Sequence, residues 1–240
     1  LIVTPKIVGV PTGGLYLWTD ENDYIEHTTF SRRIASVLNQ VADPSPNVSG
    51  LICSGYDSSG NGREYPTVDG TQFDGINCLK FVAPSGSYGR TRLYLNRDSS
   101  YSDPYTGTTT SGLIKIVGRS GSFGEGIPLP GWGAAGGAAG VTFYCPPVAN
   151  GQWQYQTDIY SFTDVGNPGD VPDPVNEWHL FTTVVQTSPT RIARLYIDGE
   201  KVFDVSFSSS PFLITQHNDL YILNRSTNPI SAIFTGYVAH

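Results

Sequence analysis

Aromatic side chains in polar or glycine-rich segments are the residues of this sequence best suited to contact a ligand. Tyr101 and Tyr105 lie among serine, aspartate and proline residues, a composition typical of recognition loops in which rigid rings supply contact area. Trp132 lies in a tract of glycine and alanine, while Trp153 and Tyr155 are spaced to share one face of a strand. We expect these rings to bind a ligand by stacking, for example on a sugar ring, although burial or a subunit contact explains each at least as well.

The segment from Glu21 to Glu26 holds the carboxyl groups that most resemble a catalytic pair, that of the family-sixteen glycoside hydrolases. Retaining hydrolysis requires two carboxyl groups about 5 to 5.5 Å apart. Residues five positions apart in an extended chain lie much farther from each other than that, and the segment begins with the composition of a turn. We therefore interpret it as a solvated acidic loop and predict that the protein is not an enzyme, with a glycoside hydrolase as the alternative.

Other catalytic and metal patterns are weak. The sequence has no Gly-x-Ser-x-Gly elbow, and its four histidines lack the spacing of a zinc site. His179 follows Trp178 in a predicted strand, so we interpret it as a satisfied strand residue.

The charge and composition exclude several classes of partner. The formal net charge is −7 and the sequence contains four lysines, which leaves no basic stripe for nucleic acid. No apolar stretch approaches the roughly 20 residues that a membrane helix needs, so we expect no membrane insertion. With 39% hydrophobic residues the chain is expected to form a single well-buried domain. Because the sequence contains no Met, we also expect that a leader, pro-segment or neighbouring domain precedes Leu1.

Short runs of β-branched and aromatic residues, separated by turn residues, predict an all-β protein. Ten strands are predicted, over residues 78–82, 92–96, 113–118, 141–145, 153–160, 178–186, 192–197, 201–207, 219–223 and 233–238. Residues 97–112 and 131–140 are predicted to be surface loops. Residues 30–40 predict one short helix, because apolar side chains follow Ser31 at helical spacing.

The best-defined hairpin is predicted around Asp198 and Gly199, a dipeptide that tolerates the positive φ angles of a tight turn. In the strand that precedes it, the apolar residues Trp178, Leu180 and Val184 are expected to face the core. Two layers of antiparallel strands are the simplest way to bury one face of each strand.

Three cysteines leave the redox state open. Cys53 and Cys78 enclose a loop that one disulfide could close, leaving Cys145 unpaired, and three buried thiols are an equally good interpretation.

Several segments occur in the order found in laminin-G-like domains. They are Asp57 to Gly62, Phe73-Asp74-Gly75 before Cys78 to Phe81, Glu177-Trp178-His179, Arg194 to Gly199, Leu220 to Leu223 and Phe234 to Val238. Over roughly residues 51–238 the chain resembles a laminin-G-like domain of the concanavalin A-like lectin and glucanase superfamily. The resemblance implies a two-sheet antiparallel jelly-roll sandwich over residues 51–240, with residues 1–50 as an N-terminal extension packed on it.

The resemblance also implies a calcium site, since many such domains bind calcium through loop carboxylates and carbonyls. Asp57, Asn61 and Asp74 are the candidate ligands, although Asp and Asn in turns usually hydrogen-bond their own backbone.

These observations predict a non-catalytic module for glycan recognition or adhesion, displayed outside a cell or on a virion. Its expected partners are a glycan or cell-surface polysaccharide and neighbouring subunits of a homo-oligomer or particle. The alternative is a structural or accessory subunit of a viral particle or extracellular assembly.

Overall fold

The computed structural model describes residues 24–26, 28, 33–38, 48–56, 65–82, 90–97, 107–120, 127–129, 131–132, 142–146, 151–156, 162–166, 171–186, 189–206, 220–223 and 233–239. Every regular element in these ranges is a β-strand. In chain order they are β1 (Tyr24–Glu26), β2 (Ile34–Leu38), β3 (Val48–Tyr56), β4 (Thr67–Phe73), β5 (Ile76–Phe81), β6 (Arg90–Arg97), β7 (Gly107–Ser120), β8 (Ile127–Pro128), β9 (Gly131–Trp132), β10 (Thr142–Cys145), β11 (Trp153–Gln156), β12 (Phe162–Gly166), β13 (Trp178–Gln186), β14 (Ile192–Ile197), β15 (Glu200–Ser206), β16 (Leu220–Leu223) and β17 (Ile233–Ala239). Among these residues no helix is long and apolar enough to cross a membrane.

The strands form an antiparallel jelly-roll sandwich, which confirms the predicted fold class. One layer is a seven-stranded sheet in the order β15-β14-β13-β7-β17-β5-β4. A six-stranded sheet (β1-β2-β3-β6-β16-β9) and a four-stranded sheet (β12-β11-β10-β8) contribute their inward side chains to the same core. All ten predicted strands are present, with ends that differ by a few residues.

Two tight turns of the same type shape the seven-stranded sheet. Asp198 (φ 52°) and Gly199 (φ 83°) join β14 to β15, which confirms the predicted hairpin. Asp74 (φ 46°) and Gly75 (φ 83°) join β4 to β5 in the same way. Positive φ at both central residues defines a type I′ turn, whose twist matches the twist of the flanking strands. Asp-Gly is favoured there because glycine has no Cβ to clash and Asp tolerates the left-handed region.

The buried face of β13 is the opposite of the one predicted. Phe181 and Val185 are buried, whereas Leu180 is 41% exposed and Trp178 lies half-buried on the outer face. Both faces of this strand carry apolar residues, so alternation alone does not identify the inward one. Pairing decides it, because Val185 lies opposite the fully buried Ala193 of β14.

A bulge explains why the predicted helix at residues 30–40 is wrong. Ile34 and Val37 are both buried, although residues three apart normally point to opposite faces of a strand. The β1–β2 pairing shifts register so that Ile25 lies opposite Ser36 and Glu26 lies opposite Ile34, which leaves Ala35 as the extra residue. This bulge returns Ile34 to the inward face, and the resulting apolar spacing resembles that of a helix.

Strands β1 and β2 precede residue 51 and belong to the six-stranded sheet, where β2 pairs with β3. The predicted boundary at residue 51 therefore falls inside β3. Residues 1–23 lie outside the described part of the chain.

The core joins the inward faces of all three sheets. Phe203 of β15 links two of them, since its ring stacks on Phe143 of β10 with centroids 6.2 Å apart and contacts Trp153 of β11 at 5.6 Å. Aromatic pairs at such distances add about 0.5–1.5 kcal/mol each beyond the area they bury. The aromatic contacts therefore help to hold the four-stranded sheet on the seven-stranded one.

Two predicted surface loops contain strands. Residues 107–112, predicted as part of a loop, form the first half of β7 and pair with β13 in the middle of the large sheet. Threonines are β-branched and suit a pleated sheet, and Ser111 Oγ lies 2.8 Å from Thr182 Oγ1 across this pair. Gly131 and Trp132, predicted as a loop, form β9 and pair with β16.

The three cysteines are buried thiols that form no disulfide, which is one of the two interpretations left open by the sequence. Burial raises the pKa of the Cys53 thiol. These cysteines therefore act as small core residues.

Candidate functional site

A row of alternating lysines and aromatic residues crosses the outer face of the seven-stranded sheet. Tyr237 of β17 lies opposite Lys80 of β5 on one side and Lys115 of β7 on the other. Lys115 lies in turn opposite Trp178 of β13. Residues directly opposite each other project from the same face. We call Lys80, Tyr237, Lys115 and Trp178 the outer row.

This face is concave at the start of β13. Strands β4 and β13 are separated by three strands, so a flat sheet would hold them about 19 Å apart at about 4.8 Å per step. The two side chains Phe73 and Trp178 span part of this backbone distance, and their ring centroids lie 5.1 Å apart. The Trp178 indole Nε1 also donates a hydrogen bond of 3.0 Å to the Gln72 carbonyl oxygen. The β4–β5 hairpin therefore curls across the outer face toward β13.

Three rings meet in this hollow. Besides Phe73, the ring of Trp178 approaches that of Tyr237, with centroids 6.4 Å apart and planes tilted by 46°. All three side chains are half-buried. The hydrogen bond from Nε1 fixes the indole in place while leaving part of its surface exposed. We call Phe73, Trp178 and Tyr237 the aromatic cluster.

Charged groups border the aromatic cluster. Lys80 Nζ lies 5.9 Å from the centroid of the Tyr237 ring, within cation–π range, and 3.9 Å from Asp69 Oδ2. The other oxygen of Asp69 accepts hydrogen bonds from the hydroxyl and backbone amide of Thr71, at 2.6 and 2.9 Å. These two bonds and, more weakly, Lys80 lower the pKa of Asp69 against a smaller opposing effect of burial. Asp69 is therefore a fixed anion at the edge of the hollow.

The hollow suits a ligand that has both an apolar face and polar substituents. Aromatic surface packs on the C–H groups of such a ligand, while an ammonium group and a carboxylate can hydrogen-bond its hydroxyl groups. Sites for small ligands are generally concave and largely apolar, with a few placed polar groups.

A second polar cluster joins the β14–β15 turn to the start of β13 and stabilises the fold. The Asp198 carboxylate accepts a 2.7 Å hydrogen bond from His179 Nδ1 and a 2.8 Å bond from the Leu180 amide. Burial raises the pKa of Asp198, but the hydrogen bonds from His179 and Leu180 together outweigh it, and the net pKa is lowered. The Asp198 amide also donates to the Leu180 carbonyl oxygen at 2.9 Å. This cluster ties the β14–β15 turn to β13 and satisfies Nδ1 of His179. The buried Nε2 of the same ring has no hydrogen-bond partner among the described residues and lies 3.9 Å from the Glu177 carboxylate, so the prediction of a satisfied strand residue is confirmed for one ring nitrogen only.

The predicted ligand-binding residues do not converge on this hollow in the described part of the chain. Trp153 is 3% exposed and packs on Phe203, so its ring has almost no surface on which a ligand could stack. Tyr155 is half-buried against the core, 6.3 Å from the Phe143 ring. The backbone of Trp132 lies in β9. Tyr101 and Tyr105 lie outside the described residues.

Of the three predicted calcium ligands, one lies in the described part of the chain. Asp74 is exposed and occupies the first central position of the β4–β5 turn, where its backbone conformation accounts for the residue type. Asp57 and Asn61 lie outside the described residues. In the ranges that the structure describes, no group of three or more His, Cys, Asp or Glu side chains could hold a metal ion. Calcium binding stays a prediction.

The aromatic cluster was not predicted from the sequence. The apolar alternation places Trp178 in the core, and Phe73 and Tyr237 fall in strand motifs. One signal was available: Lys80 and Tyr237 each stand between apolar residues in a strand, which predicts that both point away from the core. The approach of Phe73 to Trp178 depends on sheet curvature and has no sequence signal.

Comparisons with known proteins add to this geometry. No protein-family model and no curated protein sequence matches the chain. Among solved structures, domain 4 of an extracellular GH43 arabinanase from Geobacillus stearothermophilus, in complex with arabinotriose, is 10% identical, with a TM-score of 0.52 over 83% of this chain and 84% of that one. The similarity is one of fold. An endo-1,3-β-glucanase from Streptomyces sioyaensis is 11% identical, with a TM-score of 0.35 over 92% of this chain and 85% of that one.

Proposed function

We propose that this protein is a non-catalytic glycan-binding module whose ligand stacks on the aromatic cluster. The observation that carries the proposal is the concave outer face, where the half-buried residues Phe73, Trp178 and Tyr237 bring their rings together. Exposed aromatic surface in a soluble domain costs free energy unless a ligand or partner covers it. A sugar ring has an apolar face that matches it and hydroxyl groups that match the charges at its border.

The orientation of the Trp178 ring is fixed by its neighbours. Its hydrogen bond to Gln72 and its contact with Phe73 fix the ring before a ligand arrives. A preorganised ring loses little conformational entropy on binding, so more of the contact energy contributes to affinity. The similar arabinanase domain was solved in complex with an oligosaccharide, arabinotriose, which supports a glycan as the class of ligand to test first.

Display outside a cell or on a virion, adhesion and membership of the laminin-G-like domains remain part of this proposal. They rest on the sequence motifs described above.

The proposal is tested by measuring the affinity of the native protein and of Trp178→Ala for immobilised polysaccharides, with and without calcium. Removing a central aromatic anchor typically costs about 2 kcal/mol of binding free energy, which weakens the affinity about thirtyfold. Leu180→Ala is the matched control, because Leu180 projects from the same face of the same strand and is 41% exposed. Its affinity is expected to stay within about twofold of the native protein.

Two results would refute the proposed glycan binding at the aromatic cluster. One is glycan binding that Trp178→Ala leaves unchanged. The other is a complete absence of glycan binding by the native protein together with a stable closed oligomer in light scattering, which would favour the structural-subunit alternative. Release of sugars from a bound polysaccharide would contradict the non-catalytic role.

A further inference from the structure

We propose that the ligand of the aromatic cluster is an acidic polysaccharide, one that carries carboxylate or sulfate groups. This inference rests on the proposed glycan-binding function and specifies the ligand class of the same site. It is carried by the two lysines of the outer row, which flank Tyr237 on the two neighbouring strands.

The outer row is rich in lysine, although the chain as a whole is acidic. The sequence has a formal net charge of −7 and four lysines, Lys6, Lys80, Lys115 and Lys201. Two of the four lie in the outer row, beside the aromatic cluster. In an acidic protein, a local pair of cations makes that part of the surface more attractive to anionic ligands than the rest, and the Asp69 carboxylate at its edge offsets part of this effect.

Both ammonium groups are available to a ligand. Lys80 is 40% exposed, and its Nζ lies 3.9 Å from Oδ2 of Asp69, whose other oxygen accepts hydrogen bonds from Thr71. In the part of the chain that the structure describes, no carboxylate lies within ion-pair distance of Lys115. By contrast, Lys201 is paired with Asp204 at 2.9 Å.

The spacing suits a charged polymer. Lys80 and Lys115 lie one strand on either side of Tyr237, so their backbones are about 10 Å apart. If one sugar of the polymer stacks on the aromatic cluster, acidic groups on that sugar or on the adjacent sugars lie within reach of these flexible side chains. A neutral polysaccharide would leave Lys115 without an ionic partner and Lys80 with Asp69 alone.

The test compares three polysaccharides: one neutral, one with carboxylate groups and one with sulfate groups. The variants are Lys80→Gln, Lys115→Gln and the control Lys201→Gln, which removes the same charge from β15 at the edge of the sheet. Each of the first two variants is expected to bind the acidic polysaccharide about tenfold more weakly and the neutral one unchanged. The control is expected to stay within about twofold for all ligands. Binding of the acidic ligand should also weaken from about 50 mM to about 500 mM NaCl.

The carboxylated and sulfated ligands show which acidic group is bound, and a preference for either one supports the inference. Equal or tighter binding of the neutral polysaccharide, lost in Trp178→Ala but unchanged in the lysine variants, would overturn the inference and keep the proposed function. Binding of acidic ligands that Trp178→Ala leaves unchanged would overturn both.

Discussion

Gly166 at the end of β12 offers a direct test of the packing between the four-stranded and seven-stranded sheets. A Cβ atom at this position would lie 2.8 Å from Cε1 and 2.9 Å from Cζ of Phe203. Carbon atoms in contact normally lie about 3.5–4.0 Å apart, so the ring would have to move by about 0.6–1.2 Å. The ring has little room, because Phe203 is 8% exposed and packs on Phe143 and Trp153.

Gly166→Ala is therefore expected to lower the free energy of unfolding by about 2 kcal/mol, within the range found for overpacked cores. For a chain of this length the melting temperature would fall by about 4–8 °C. Thermal melts followed by circular dichroism and urea unfolding followed by tryptophan fluorescence measure both quantities. Phe203→Leu removes Cε1 and Cζ, so in a double-mutant cycle it should compensate for the added methyl group by about 1 kcal/mol or more.

Gly70→Ala is the control for this experiment. Its Cβ would meet the side-chain Oδ1 of Asn77 at 3.0 Å, the far end of a side chain that can rotate away. A loss below about 1 kcal/mol is expected. The packing account would be refuted by a Gly166→Ala variant as stable as the native protein, or by effects of Gly166→Ala and Phe203→Leu that simply add.

Local chemistry predicted the β14–β15 turn and ten of the described strands. Asp198-Gly199 reverses the chain as predicted because the conformational demands of a type I′ turn are met by few dipeptides. The strand ends follow from β-branched and aromatic runs bounded by turn residues. These features depend on residues close together in the sequence.

The errors concern features that depend on distant partners. The bulge at Ala35 depends on pairing with β1, and the buried face of β13 depends on pairing with β7 and β14. Likewise, Phe73 approaches Trp178 because strands between them curve. A single sequence does not encode pairing or curvature in a form that periodicity can reveal.

Two further predictions concern the β14–β15 turn. Gly199→Ala should destabilise the protein by about 1 kcal/mol through backbone strain alone, because φ is +83° and no heavy atom beyond Gly199 and its two chain neighbours lies within 4 Å of the added Cβ. Gly199→Asn should cost less, and equal melting temperatures for the two variants would contradict this. The lowered pKa of Asp198 means that its carboxylate stabilises the fold above the ordinary carboxyl pKa and that this contribution is lost as the pH falls through the lower, folded-state pKa. The difference in unfolding free energy between the native protein and Asp198→Asn should therefore shrink between pH 6 and pH 3, and a difference that is constant with pH would refute it.

The most direct test of the central claim is a heteronuclear NMR titration of the native protein with a polysaccharide that it binds. We expect the indole N–H resonance of Trp178 and the backbone amides of Phe73, Lys80 and Tyr237 to shift together with one dissociation constant. Saturating binding that leaves these four signals unmoved would contradict the claim that the ligand stacks on the aromatic cluster.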